Sequence, residues 1–453
     1  MSESRLNYTD NPMGSERISR LILSTGLPLM LSLLINSLYN FVDSVFVSRV
    51  GEDALTALSL AAPVQIIVSA LGLGNAVGLN AAISRALGQG RPDKVKHIAN
   101  SAIFLALCAW GLIAVTCIIG VRPYFEWQSG GNAQIAAYGR DYLSVCMFFA
   151  LGQMGQWVFD RFVIASGKSR LFLFTLSAAS LTNLVLDPIF IFGVKPLGIP
   201  AMGPRGAAIA TVIGQHMGMV AGILINRRWN REIPFSLSLK PHWESVRTIL
   251  RVGVPSTLVQ VLTSFIAVAM NAILLSFSST AVAVYGVCAR MNGVCTVGVH
   301  GIDNGLIPIV AYNYGARQRQ RVSDAVRWAL IYGAALFLPF FLALELAPGL
   351  VLRLFDASEH MRAIGIPAVR ILAAAWLTSI PALVTAAALQ GLSLGTHSMA
   401  LTVLRQALLP IALAFALMRL GLSAVWLGFV LAEALCIPLA AWLWKMALKR
   451  MEE

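Results

Sequence analysis

Apolar residues come in long runs separated by short polar stretches. Twelve such runs stand near 21–47, 55–84, 98–120, 138–165, 171–193, 206–226, 248–276, 282–310, 324–347, 364–391, 398–418 and 422–446. A helix needs about 20 residues to cross roughly 30 Å of hydrocarbon, and each run is long enough. With no water in the bilayer core, backbone amides must be bonded within their own segment, which selects helices. The pattern predicts an all-α integral membrane protein of twelve transmembrane helices, with ends set by Gly, Pro or charge. The first 20 residues are polar and carry no signal-peptide pattern, so the first run is expected to stay as a spanning helix.

Lys and Arg collect on alternate connections. One side holds twenty-one of them, among them Arg5, Arg17, Arg85, Lys94, Arg227, Arg228 and Lys449; the other holds eight, among them Arg49, Arg122, Arg140 and Arg205. The positive-inside rule then puts both termini in the cytoplasm, and an even helix count agrees.

Sliding the sequence by 227 positions aligns two segments without a gap. Gly26 and Pro28 fall on Gly253 and Pro255, Leu31 on Leu258, Ser37 on Ser264 and Ala54 on Ala281. Gly74, Gly78 and Gly88 fall on Gly301, Gly305 and Gly315, and Val95 on Val322. Chance apolar similarity does not keep four glycines and a proline in one register. Each copy holds six helices, so the halves share an orientation and form two six-helix bundles about a pseudo-two-fold axis along the membrane normal, the recurring build of secondary transporters. The expected division is a cytoplasmic segment over 1–20, a first lobe over 21–226, a basic cytoplasmic linker over 227–247, a second lobe over 248–447 and a tail over 448–453.

Composition agrees. Apolar residues make up 57% and charged residues 12% of the 453 positions, about half the charge of a soluble protein. With a mean hydropathy of +0.74, a soluble enzyme, a disordered chain and a secreted disulfide scaffold are excluded. The net charge of +13 sits in short loops, which reads as anchoring beside anionic lipid and not as nucleic-acid binding. Six cysteines fall in apolar runs without ligand spacing, so free thiols and no resident metal are expected.

A carboxylate at the bilayer centre costs about 2.5–3.5 kcal/mol or more, so the acids inside the runs are informative. Asn36, Asn40 and Asp43 share one face of the first helix; Gln153, Gln156 and Asp160 share one of the fourth; Asn183 and Asp187 lie one turn apart on the fifth, with Ser180 on the same stripe; Thr211 and Gln215 do so on the sixth. These stripes converge on a chamber whose carboxylate, amide and hydroxyl oxygens suit a hard cation such as Na⁺. A buried carboxylate can instead take up and release protons. The competing reading makes the stripes interhelical glue, and for lone Asn and Gln residues glue is favoured. For Asp43 and Asp187 function is favoured. Asp160 lies beside Arg161, where an ion pair competes with a working role.

The second half lacks this pattern. Met270 stands at the register of Asp43, with Asn271 beside it, and the seventh helix offers Gln260 and Ser264. Glu433 has no evident partner. Pro28 and its counterpart Pro255 each remove a helix hydrogen bond and permit a kink.

At this point the sequence resembles the multidrug and toxic compound extrusion (MATE) family over essentially its whole length. The resemblance is carried by Gly26-Leu-Pro28 followed by Asp43, Gly88-Gln-Gly90, Asn183-Leu-Val-Leu-Asp187-Pro-Ile-Phe-Ile-Phe-Gly193, Gly206-Ala-Ala-Ile-Ala-Thr211, and Pro308 with Asn313-Tyr-Gly315-Ala316. It implies twelve helices in two bundles around a V-shaped cavity, and export of amphipathic, often cationic compounds driven by entry of H⁺ or Na⁺. The DinF-like or MepA-like branch places its coupling acids at Asp43 and Asp187 and its cation-site partners at Asn183 and Thr211. Asp160 stands where that branch often has Asn.

The expectation is therefore a monomeric drug/H⁺ or drug/Na⁺ antiporter of the bacterial inner membrane, with no cofactor beyond the coupling ion and only membrane lipids and small molecules as partners. Asp43, Asp187, Asn183, Thr211 and Asp160 are expected at the ion site. Asn36, Tyr39, Asn40, Gln153, Met154, Gln156, Trp157, Gln260, Ser264, Met270 and Asn271 are expected to face substrate between the lobes. A flippase for lipid-linked saccharides is the alternative, but would line its cavity with Arg and Lys. A membrane-embedded enzyme lacks its motifs: no DDxxD, HExxH, GxSxG or Walker pattern is present.

Overall fold

Every one of the twelve apolar runs folds as helix. The computed structural model describes residues 11–451 apart from 130, 195, 197, 237–239 and 354–358. Side chains at 38–42, 44, 45, 48, 52, 55, 263, 264, 267, 268, 279 and 351 are also outside the description, so Tyr39, Asn40 and Ser264 of the expected site lie outside the described residues. Among the described residues the extended pairing is one isolated bridge, Val194 with Ile199.

Six runs of the first half become α1 (Ile18–Ser48), α2 (Glu52–Gly88), α3 (Pro92–Gln128), the pair α4 (Ala133–Phe148) and α5 (Leu151–Ala165), α6 (Ser169–Phe192) and α7 (Pro204–Trp229). The second half gives α8 (Trp243–Leu275), the pair α9 (Ser279–Cys295) and α10 (Val297–Gly315), α11 (Arg319–Leu346) and α12 (Glu359–Gly391). Then come α13 (Gly395–Val403), which passes through a π-helical turn at Leu404–Leu408 into α14 (Leu409–Leu417), and α15 (Leu422–Lys449). The pairs α4–α5 and α9–α10 are bent by 44° and 50°. Among the described residues nine helices are long and apolar enough to cross a membrane, or eleven with each bent pair as one span. The remaining run, 248–276, lies in α8.

The 227-residue register reappears in the helix ends. Ser48 and Leu275 close α1 and α8, Glu52 and Ser279 open α2 and α9, Gly88 and Gly315 close α2 and α10, and Pro92 and Arg319 open α3 and α11. The chain forms two compact units, and their boundary obeys the register too. One unit comprises Asn11 and Leu31–Thr257; the other comprises Pro12–Met30 and the chain from Leu258 onward. Each division falls two residues after a helix-interior proline, Pro28 in α1 and Pro255 in α8. Compared with the lobes drawn from sequence, residues 21–30 join the second unit and 227–257 the first.

The register glycines account for this membership. In the first unit α2 crosses the beginning of α8 at backbone contact: a Cβ on Gly74 would collide with Thr257, and one on Gly78 with the Ile249 carbonyl. Thr257 Oγ1 donates to the Ala70 carbonyl at 3.1 Å across the same crossing. In the second unit α10 crosses the beginning of α1 in the same way, where a Cβ on Gly301 would stand 2.8 Å from the Met30 backbone. Small residues at these places let the backbones meet, and dispersion contacts between them hold helices that lipid gives no reason to associate. Large apolar side chains such as Ile118, Phe415 and Trp442 stay exposed on the outer faces, as a lipid solvent allows.

Within the first unit α7 packs along both α6 and α5, and α2 packs against α3, α4 and α5; within the second, α12 packs against α10, α11 and α15. All six cysteines are free.

Candidate functional site

The polar stripes of the first unit meet in a cavity of about 300 Å³. Its walls come from α1 (Asn36, Asp43), α2 (Gln65, Ser69), α4 (Tyr142, Cys146), α5 (Gln153, Gln156, Trp157), α6 (Ser180, Asn183) and α7 (Thr211, Gln215). The i, i+4 and i, i+7 spacings that put each set on one face therefore point at one volume. Among the described residues no Lys, Arg or His belongs to the lining.

Asp43, in this lining, and Asp187, behind it, bring their carboxyl groups within electrostatic range of each other across α1 and α6. Asn183 Nδ2 donates to Asp187 Oδ1 at 3.2 Å and to Thr211 Oγ1 on α7 at 3.2 Å. Asp187 and Asn183 are buried, at 1% and 3% exposure. The α6–α7 approach that brings Thr211 within reach depends on Gly214, where a Cβ would stand 2.7 Å from the Ala179 carbonyl and 3.1 Å from Asn183 Cβ.

Asp43 Oδ1, Asn183 Oδ1 and Asp187 Oδ2 are buried and have no hydrogen-bond partner among the described residues. A buried oxygen without a donor costs about 1–3 kcal/mol, more when charged. Three such oxygens on residues already tied to one another leave acceptor capacity that a cation or an added proton would satisfy. The groups around the two acids are oxygens and an amide, which fit a hard cation.

Not every expected residue reaches this volume. Asp160 is 2% exposed and is absent from the lining; its Oδ1 accepts from Thr175 Oγ1 at 2.5 Å. Met154 is 1% exposed and buries its sulfur beside Gly72 instead of facing the cavity. Gln260, Met270 and Asn271 belong to the second unit. Met270 is fully buried there and Asn271 is exposed, and neither these two nor Gln260 lines the cavity of the first unit or that of the second. Asn36, Gln153, Gln156 and Trp157 do line the chamber.

Sequence reasoning missed α2 and α4. Gln65 Nε2 donates to Tyr142 Oη at 3.1 Å, and Gln153 Nε2 lies 3.5 Å from Ser69 Oγ. The i, i+4 spacing of Gln65 and Ser69 was the available signal. Glu433, without a partner in the sequence, accepts from Arg405 Nη1 at 2.8 Å in the second unit.

The chemistry is not duplicated along with the fold. At the 227-residue register, Asp43, Asn183 and Asp187 correspond to Met270, Pro410 and Ala414.

Comparison with known proteins gives the same repeat from outside. The MatE family model matches residues 28–189 and again 255–416, two stretches offset by 227 positions. Multidrug export protein MepA of Staphylococcus aureus is 24% identical over 440 residues, covering 96% of this chain and 94% of that protein. An FAD transporter of Shewanella oneidensis is 25% identical over 333 residues, covering 72% of each. Among solved structures, a MOP superfamily transporter from Pyrococcus furiosus superposes with a TM-score of 0.87 at 24% identity, covering 98% of both chains.

Proposed function

The chain belongs to the MatE family, and from that premise we propose that it is a secondary active exporter exchanging amphipathic, often cationic compounds for H⁺ or Na⁺ across a bacterial cytoplasmic membrane. It is a multi-pass membrane transporter and not an enzyme. One observation supports the coupling: Asp43, in the chamber lining, and the buried Asp187 behind it bring their carboxyl groups close together, and among the described residues no basic side chain lines the chamber.

Two unit charges about 4 Å apart at an effective dielectric near 20 repel by about 4 kcal/mol. A proton or a Na⁺ at the pair removes that repulsion, with Asn183 and Thr211 orienting the acceptors. A cationic compound in the adjoining cavity relieves the same field from its other side. Each ligand then loses part of its binding energy when the other is present, so the site favours one at a time and exchange over joint passage. Asp160 is held by Thr175 and does not enter this constellation. Substrate lies against Trp157 and the amides of Gln153 and Gln156. Both termini face the cytoplasm and the monomer is the working form.

Bending of α1 at Pro28 links occupancy at Asp43 to the change of access, since the helix passes from one compact unit to the other two residues beyond that proline. The multidrug name of the Staphylococcus aureus relative supports the substrate class. A pyrophosphate-bearing substrate in this chamber is disfavoured, because Asp43 faces it and no Lys or Arg does.

The test is dye export from proteoliposomes under separately imposed pH and Na⁺ gradients. The reading requires flux driven by at least one of them, and loss of that flux in Asp43→Asn and Asp187→Asn proteins that still insert. Flux indifferent to both gradients contradicts it.

A further inference from the structure

The second unit encloses a cavity of its own, about 320 Å³. Its lining is largely apolar and includes three aromatic rings, Tyr285 on α9, Trp376 on α12 and Phe429 on α15. The ion pair of Arg405 and Glu433 forms what we call its floor, and His300, Asn292 and Gln406 also line the cavity. Tyr285 and Phe429 stand 6.1 Å apart between ring centroids, within the range at which aromatic faces make a shared wall.

The ionic floor is unusual for a membrane interior. Arg405 and Glu433 are 7% and 12% exposed. Burying such a pair is expensive, and lipid-facing stability does not call for it. Arg405 also sits in the π-helical turn Leu404–Leu408, an irregularity that recurs at functional sites because it re-aims a side chain from a regular helix. At the 227-residue register Arg405 corresponds to Ala178, so this group is not a relic of duplication.

The hydrogen bonding at the floor is incomplete. Arg405 Nη1 donates to Glu433 Oε1 at 2.8 Å. Glu433 Oε2 is buried and has no partner among the described residues. A guanidinium has five N–H donors in a planar fork, so the pair offers donors from Arg405 beside an acceptor from Glu433. That arrangement complements a ring edge carrying a carbonyl next to an N–H, and the aromatic walls complement the ring's faces.

We propose that the second unit holds a separate binding site for flat heteroaromatic compounds with an adjacent carbonyl and ring N–H, read at the edge by Arg405 and Glu433 and stacked by Tyr285, Trp376 and Phe429. The site is independent of the coupling chemistry at Asp43, and it gives the protein a way to hold uncharged planar compounds that the acidic chamber does not favour.

The test is equilibrium binding of lumichrome, an uncharged tricycle with such an edge, to the full-length protein in lipid nanodiscs, with empty nanodiscs subtracted. Its 1,3-dimethyl derivative keeps the flat rings and loses both N–H groups. Lumichrome is expected to bind saturably and the derivative about tenfold more weakly, as the loss of a hydrogen bond to a charged group requires. The double variant R405M/E433L keeps the volume apolar and should lose the preference between the two compounds. Absence of saturable lumichrome binding, equal affinity for both compounds, or a preference that survives in a folded R405M/E433L protein would each overturn the proposal. Should that variant not fold, the two compounds on the unmodified protein decide. No gradient or drug cation is present, so failure of the coupling reading leaves this result untouched.

Discussion

The Asp43 carboxyl on α1 stands beside the Asp187 carboxyl on α6, although the first is carried by a helix that begins in the other compact unit. That proximity brings α1 beside an acid buried behind the chamber.

Neutralising either partner should uncouple transport. Asp43→Asn and Asp187→Asn each keep size and hydrogen-bonding capacity while removing the charge. Gradient-driven dye export should fall in each variant to the rate seen without a gradient. The double variant should be little worse than either single one, because the two residues act as a unit. Export rates in proteoliposomes of matched protein content measure both.

Asn183 donates to both Asp187 and Thr211. Asn183→Ala removes both bonds and leaves Asp187 with two unserved oxygens. The cation concentration giving half-maximal export should rise about tenfold or more, the worth of a hydrogen bond to a charged group. Thr211→Val removes one neutral acceptor and should shift it less.

Asp160 behaves differently in this account. Thr175→Val takes away the 2.5 Å bond to its Oδ1 and leaves a buried acceptor. Stability should drop by about 1–3 kcal/mol, seen as a lower unfolding midpoint in detergent, while the coupling ratio of the surviving protein stays at the parental value.

The Arg405–Glu433 pair predicts a non-additive stability pattern. Arg405→Met or Glu433→Leu alone strands a buried charge and should cost about 3–5 kcal/mol. R405M/E433L together should cost far less than the sum. Thermal unfolding of the four proteins closes the cycle.

Much of the architecture could be read from the chain because lipid imposes simple rules. Twelve runs became helix, and the 227-residue offset found from a few glycines and a proline recurs in helix ends, unit boundaries and family matches. The glycines were read as a repeat; their reason lies in the close crossings that Gly74 and Gly301 make with the beginnings of α8 and α1. Helical spacing placed Asn36, Asp43, Gln153, Gln156, Asn183 and Thr211 around one volume, because periodicity fixes a face. It does not fix depth or neighbour. Met154 and Asp160 share a helix with cavity residues yet turn into packed contacts, and the Arg405–Glu433 pairing joins residues on different helices through a π turn that no periodicity reveals. The units also divide inside helices, where a count of hydrophobic runs shows no break.

Competition between a coupling cation and a cationic compound for the Asp43–Asp187 pair is the expected basis of exchange. It is tested most directly by ethidium binding to the purified protein in nanodiscs, titrated with Na⁺ at fixed pH and with H⁺ at fixed Na⁺. Ethidium affinity should weaken progressively as one of these cations rises, and Asp187→Asn should abolish that dependence. An affinity that ignores both cations in the parental protein, or a dependence that persists unchanged in Asp187→Asn, would contradict the account.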